Sequence, residues 1–150
     1  MAEHNDLGIK GEELALAFLI KKGYSILEKN FRFGKNEVDI IAEKDGFVVI
    51  VEVKTRSSQY YGDPENFVTL KKQSFMIRAA NHYIHKYNRQ EEVRFDVIAV
   101  LVSTYGNSIS HIEDAFYPTL WKWRSFTTFA KNSYRSPDSY RDSQKRIRQD

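Results

Sequence analysis

The sequence predicts a mixed α/β domain in which helices cover both faces of a central β-sheet. Two observations predict it: helical segments and β-branched runs follow one another along the chain, and residues 47–51 are five consecutive apolar residues. Such a strand cannot place alternate side chains in water, so it belongs near the middle of a sheet that is covered on both faces. We therefore expect a helix on each side of it.

The first half of the chain predicts one helix and then three strands. Residues 6–22 place apolar side chains at helical spacing. Residues 24–33 predict a half-buried strand whose apolar pattern shifts after Ile26. Residues 37–43 and 47–54 are rich in β-branched side chains, and the Asp45-Gly46 pair between them is typical of a tight hairpin turn.

The second half predicts another helix and one or two further strands. Residues 55–66 are polar and are expected to form a loop directly after the central strand. Residues 69–87 predict the second helix, and residues 94–102 predict another buried strand. Residues 108–113 are expected to form a short last strand. The predicted order is therefore helix, three strands, helix, and one or two strands.

The composition excludes several classes of protein. The chain has 150 residues, of which 41% are hydrophobic and 29% are charged, so one core can form without disulfides. It has no cysteine, which excludes a disulfide scaffold, a thiolate zinc site and a cysteine nucleophile. No apolar run approaches the roughly 20 residues that span a bilayer, and no signal peptide is recognisable. We expect a cytoplasmic protein without a membrane partner.

The positive charge lies at the C-terminal end. The net charge is +3, but residues 121–150 hold eight Lys and Arg against three Asp and Glu, whereas residues 1–120 hold 15 against 17. We assign residues 1–120 to one domain and residues 121–150 to a basic extension. The extension is expected to start with a short aromatic helix and then to be disordered, because few of its side chains could be buried. It could contact nucleic acid, although a solvated extension is the commoner case.

The predicted hairpin brings acidic and basic side chains together. Strict alternation would place Glu37, Asp39 and Ile41 on one face of their strand, and Glu52 and Lys54 on one face of the next. Two carboxylates at this place would suit Mg²⁺, because hard cations prefer oxygen ligands. An ordinary ion pair between Glu52 and Lys54 would also fit the spacing. The spacing alone leaves both interpretations open.

The order of the motifs resembles a known superfamily. A helix that carries Glu12, then Asp39, then Glu52-Val53-Lys54 resembles the PD-(D/E)xK signature of the restriction-endonuclease-like fold, which has an α-β-β-β-α-β core and a central mixed sheet flanked by helices. Val38 stands where the signature has Pro. Over residues 8–116 the sequence is similar to the YraN family of proposed endonucleases, through Gly8-x-x-Gly11-Glu12, Gly23-Tyr24, Asn30, Glu37-Val38-Asp39, Glu52-Val53-Lys54-Thr55-Arg56, Arg94-Phe95-Asp96 and Asp114-Ala115-Phe116. Asp114 replaces the more usual Asn.

The resemblance implies a metal-dependent endonuclease that hydrolyses phosphodiester bonds in DNA, with branched or structured DNA as a substrate class by analogy to junction-resolving relatives. It implies that Asp39 and Glu52 bind Mg²⁺ or Mn²⁺. Lys54 would orient or activate the attacking water, and Glu12 would complete the acidic cluster. Glu37 is a weaker candidate. A homodimer is an expectation by the same analogy.

Several basic residues are candidates for contacts with the DNA backbone. Arg56 and Lys71 are the main candidates and Arg78 is a further one, although each could also be an ordinary surface charge. Asp96 is expected to pair with an arginine for structural reasons, and His111 is expected to be packed or hydrogen-bonded rather than catalytic. The alternative function is a noncatalytic nucleic-acid-binding or protein-interaction module that keeps the nuclease fold.

Overall fold

The structure is a computed structural model that describes residues 2–57 and 68–118. These residues form two helices and five strands, in the order that the sequence predicts. The elements are α1 (Ala2–Lys21), β1 (Ser25–Phe33), β2 (Asn36–Lys44), β3 (Phe47–Arg56), α2 (Leu70–Lys86), β4 (Glu92–Ser103) and β5 (Gly106–Phe116). No helix within the described ranges is long and apolar enough to cross a membrane.

The five strands form one mixed sheet in the order β1-β2-β3-β4-β5. β3 and β4 are parallel, and α2 lies between them in the chain, whereas the other neighbouring strands pair antiparallel. β3 is the central strand, and Val48, Val49, Ile50 and Val51 are fully buried. The prediction of a covered central strand is confirmed, and a five-stranded mixed sheet flanked by helices is compatible with the restriction-endonuclease-like fold, with β5 as an additional edge strand.

Each face of the sheet has its own apolar core. On one face α2 buries Phe75, Met76, Ala79 and Ile84 against side chains of β2, β3 and β4. On the opposite face Ala15 and Leu19 of α1 pack against a second set, which includes Val49, Val51 and Ile98. These two cores place one helix on each side of β3, as the continuous apolar run of that strand requires.

Local departures from the prediction lie in the strands. β5 covers Gly106–Phe116 and is longer than the expected 108–113, because it pairs with β4 over most of this length. The predicted shift in β1 is confirmed, since its register with β2 changes between Ile26 and Glu28.

The strict alternation expected for β2 is wrong. Val38 and Ile41 lie three residues apart, yet both belong to the core on the α2 face, while Ile40 belongs to the α1 face. The alternation therefore breaks between residues 38 and 40, at Asp39. The predicted boundary at residue 120, the basic extension at 121–150 and most of the predicted loop at 55–66 lie outside the described residues.

Candidate functional site

The site begins where β2 and β3 stop pairing. Their register runs from Lys44 opposite Phe47 to Ile40 opposite Val51 and does not continue to Asp39. Instead, the Asp39 carboxylate takes the place of a backbone acceptor, because its Oδ2 atom accepts a hydrogen bond of 2.8 Å from the Val53 N–H group. The two strands separate from this point, and the end of β3 that carries Glu52 and Lys54 lies beside the gap.

Glu52 lies between two ammonium groups. Its side chain is only 6% exposed; the Lys54 Nζ atom is 3.4 Å from its Oε1 atom, and the Lys72 Nζ atom is 3.3 Å from its Oε2 atom. The ion pair between Glu52 and Lys54 that the spacing allowed is therefore present, and a second lysine joins it. A buried carboxylate needs such partners, because a charge taken out of water is costly when it is unpaired.

Sequence reasoning missed Lys72; its neighbour Lys71, named as a candidate for contact with the DNA backbone, keeps that role as a prediction. Lys71 is exposed, whereas Lys72 is half-buried, and its Nζ atom also donates a hydrogen bond of 3.5 Å to the backbone oxygen of Glu37. Helical periodicity could have found it. Lys72 precedes the buried Phe75 and Met76 by three and four residues, so it lies on the face of α2 that packs against the sheet.

Glu12 reaches the site because α1 comes very close to the end of β3. At Gly11 a Cβ atom would lie 1.8 Å from the Oγ1 atom of Thr55, so only glycine allows this approach of the helix backbone. The next residue, Glu12, is half-buried beside the gap. The Gly-Glu pair of the N-terminal motif therefore has a steric explanation. Gly11 allows the backbone of α1 to approach β3, and this approach places Glu12 beside the cavity.

The expected catalytic residues line one cavity of about 300 Å³. It lies between α1 and the end of β3, and its walls include Glu12, Asp39, Glu52, Lys54 and Arg56. Three other candidates are not among the residues that line this cavity. Lys71 and Arg78 line a separate groove on α2, and Glu37 forms an ion pair of 3.1 Å with Arg32 instead of facing the cavity.

The carboxylates of the cavity repel one another. Burial raises the pKa of Asp39 to about 7, and the charges of Glu52 and Glu12 act in the same direction, against the Val53 hydrogen bond and Lys72. Burial also raises the pKa of Glu12, with the charges of Glu37 and Glu52 as further causes. A cation bound among these carboxyl groups would stabilise their ionised forms and allow them to lose their protons together.

The donor set fits a magnesium ion held by two carboxylates. The Oε2 atom of Glu52 is buried and, among the described residues, accepts no hydrogen bond, although the Lys72 ammonium group lies 3.3 Å away. No group of three or more His, Cys, Asp or Glu side chains in residues 2–57 and 68–118 is arranged to hold a metal by itself. Mg²⁺ commonly uses one or two carboxylates and takes its other ligands from water and substrate phosphate. Asp39 and Glu52 suit this mode, with Glu12 nearby.

A second polar cluster is structural. Asp96 is fully buried and accepts two hydrogen bonds from Arg94, of 2.9 and 2.8 Å, and a third of 3.1 Å from the Asp114 N–H group. The His111 Nε2 atom lies 2.7 Å from the same carboxylate. Burial opposes ionisation, but the hydrogen bonds from His111 and Arg94 prevail and lower the pKa of Asp96. The expected structural pairing of Asp96 and the hydrogen-bonded state of His111 are confirmed.

Comparisons with known proteins agree on one family. A family model described as "Uncharacterised protein family UPF0102" matches residues 11–100. The UPF0102 protein FP2501 of Flavobacterium psychrophilum is 53% identical over 117 residues, which cover 78% of this chain and 98% of that protein. A UPF0102 protein of Christiangramia forsetii is 49% identical with the same coverage, and one of Phocaeicola vulgatus is 46% identical over 121 residues, 81% of this chain and 100% of its own.

A solved structure titled "Crystal structure of SSO0001" is a more distant match. It aligns with a TM-score of 0.30 and 16% identity, over 75% of this chain and 52% of that chain. This similarity is too low to support a statement about fold or function.

Proposed function

The chain belongs to the uncharacterised protein family UPF0102, also called YraN, and on this premise we propose that it is a metal-dependent endonuclease acting on DNA. The observation that carries the proposal is the meeting of Asp39, Glu52 and Lys54 in one cavity where two strands separate. Two carboxylates can hold a divalent metal, and an ammonium group beside them can stabilise the charge that develops on a phosphate during metal-dependent hydrolysis. Branched or structured DNA is the proposed substrate class, and a homodimer would place two such sites on two strands.

Each residue has a separate task in this chemistry. Asp39 and Glu52 would hold Mg²⁺ or Mn²⁺, which when bound polarises a phosphate and lowers the pKa of a bound water. Lys54 lies 3.4 Å from Glu52, close enough to orient the attacking water and to stabilise negative charge that develops on the phosphate. Arg56 shares the cavity and would bind a neighbouring phosphate as a bidentate donor.

Calorimetric titration of Mn²⁺ or Mg²⁺ tests the metal site directly. We expect binding by the wild type and none by the Asp39→Ala, Glu52→Ala double variant. In parallel, branched, single-stranded and duplex DNA are incubated with the wild type and with Lys54→Ala. Cleavage that requires metal and is lost in Lys54→Ala supports the proposal. A wild type that binds no divalent metal, or cleaves equally well without Asp39, would contradict it.

One observation favours a noncatalytic module instead. Both Glu52 oxygens already face an ammonium group, so this carboxylate is paired without a metal. Such a module would bind nucleic acid through its basic residues and would not cleave it. Metal-independent DNA binding without cleavage, in the same set of reactions, would support this second function.

A further inference from the structure

We propose that Lys72 is a mobile counter-cation: it neutralises Glu52 in the metal-free protein and moves to a backbone phosphate of the nucleic acid when a metal binds. The proposal rests on the proposed nuclease function. It assigns a role in substrate binding to a residue of α2, outside the Glu52-Val53-Lys54 motif.

The starting state is defined by contacts of Lys72. Its Nζ atom is 3.3 Å from the Oε2 atom of Glu52 and 3.5 Å from the backbone oxygen of Glu37. Its side chain is 28% exposed, whereas the side chain of Glu52 is 6% exposed. The ammonium group therefore approaches Glu52 from α2, and Glu52 also lines the cavity that it shares with Asp39.

A divalent metal changes the balance of charge at Glu52. The carboxylate is then shared between a dication and two ammonium groups, and cations at such short range repel one another strongly. Lys54 follows Glu52 on the same strand and already lines the cavity. Lys72 comes from a helix on the other side, and its four-carbon stem can rotate away without any change in the backbone.

A destination for the displaced ammonium group is adjacent. Lys72 also lines a groove of about 190 Å³ on α2, together with Asn36, Thr69, Lys71, Phe75 and Arg78. None of these lining residues is acidic, and the first turn of α2 carries no acidic residue. Three cationic side chains without a carboxylate among them form a surface that attracts phosphate. Lys72 both lines this groove and contacts Glu52.

The matched pair of variants is Lys72→Met and Lys71→Met. Both remove one positive charge from the same turn of α2, but only Lys72 contacts Glu52. In a calorimetric titration of Mn²⁺ without DNA, we expect Lys72→Met to bind the metal about tenfold more tightly than the wild type, because a competing cation is gone. Lys71→Met should bind it like the wild type. Lys72→Gln, which keeps a hydrogen-bond donor, repeats the test if the methionine variant folds poorly.

The second measurement is the salt dependence of binding to duplex DNA. It is made once with Ca²⁺, a divalent ion chosen to limit cleavage, and once without divalent metal. With the metal, the slope of log K against log salt should be shallower by about 0.9 in both variants, as expected for one phosphate that is no longer neutralised. Without metal, only Lys71→Met should show this change, because Lys72 is then engaged by Glu52.

Two results would overturn the inference. One is a Lys72→Met variant that binds Mn²⁺ no more tightly than the wild type, and the other is a slope change for Lys72→Met that does not depend on metal. If the wild type binds metal and cleaves DNA in either case, only the role of Lys72 fails. If the wild type binds no metal, the proposed function fails with it.

Discussion

Asp39 serves both the fold and the candidate site. One carboxylate oxygen holds the Val53 N–H group where strand pairing stops, and the side chain also lines the cavity with Glu52. A carboxylate in this position is costly when it is ionised, because burial and the charge of Glu52 both oppose it. The site is therefore expected to lower the stability of the metal-free protein.

This cost predicts a dependence on pH. The pKa of Asp39 is about 7 in the folded protein, compared with an ordinary value of 3.8. Folding therefore favours the protonated carboxyl group, and this contribution to stability is fully present below about pH 4. That contribution is lost as the pH rises toward 7. Asp39→Asn stays neutral and can still accept from Val53, so it should be more stable than the wild type at pH 8 by about 2–4 kcal/mol.

Urea unfolding of both proteins at pH 5 and pH 8, without divalent metal, measures this difference. The advantage of Asp39→Asn should be clearly smaller at pH 5. Addition of Mg²⁺ at pH 8 should stabilise the wild type and leave the variant unchanged. Parallel pH profiles for the two proteins would show that the burial of Asp39 has no such cost.

Asp96 predicts the opposite dependence. Its pKa is lowered in the folded protein, so its contribution to stability is present above the ordinary carboxyl range and is lost as the pH falls. At pH 7, Asp96→Asn should destabilise the protein by about 3 kcal/mol, because Arg94 stays buried without its counter-charge. Asp45→Asn, in the exposed hairpin turn, is the control and should change the free energy of unfolding by less than about 0.5 kcal/mol. A small effect of Asp96→Asn at pH 7 would argue against the structural role.

At the scale of elements, most of the fold was predictable because the turn residues and apolar runs of the sequence agree with the packing of the folded protein. Asp45 and Gly46 adopt the positive φ values of 51° and 81° that the predicted hairpin turn favours. The apolar run of β3 required cover on both faces, and both helices provide it. The length of β5 was not predictable, since Gly106 and Asn107, which have low strand propensity, join the strand through pairing with β4.

The sequence motifs predicted that four side chains of the candidate site would come together, but they did not predict the geometry of the site. The motifs named Glu12, Asp39, Glu52 and Lys54, and these side chains line one cavity. The end of pairing at Asp39 depends on the register of two strands, which the sequence of one strand does not determine. Lys72 was missed because its contact with Glu52 depends on how α2 lies across the sheet.

The contact between α1 and β3 predicts a contrast between two glycines. Gly11→Ala would place a Cβ atom 1.8 Å from Thr55, so α1 must move away from β3. We expect a loss of stability of about 1–3 kcal/mol, as for other overpacked sites, and weaker metal-dependent activity. Gly8→Ala meets no atom within 4 Å and should stabilise α1 by about 0.5–1 kcal/mol.

Thermal unfolding of Gly8→Ala and Gly11→Ala, compared with the wild type, separates the two effects. Both substitutions raise helix propensity equally, so any difference between them reports on the space at Thr55. Two variants of equal stability would mean that the close approach of α1 is not required.

At the scale of the whole molecule, charge is distributed unevenly between residues 1–120 and residues 121–150. Residues 131–150 carry six Lys and Arg against three Asp. If these cations bind phosphates, deletion of residues 131–150 should flatten the salt dependence of DNA binding, by about 0.9 in slope for each phosphate that the extension neutralises. The measurement is fluorescence anisotropy over a series of salt concentrations, and an unchanged slope would exclude this role.

The order of elements along the chain has a consequence for synthesis on the ribosome. α1 precedes β3 and β4, yet it packs on these two strands, and the parallel partner of β3 is synthesised only after α2. A nascent chain that ends before β4 leaves part of the apolar face of α1 in water, and its contacts form between residues distant in sequence. The helix that carries Glu12 is therefore fully packed only after β4 has been synthesised, and chains truncated before β4 are expected to hold the site less firmly.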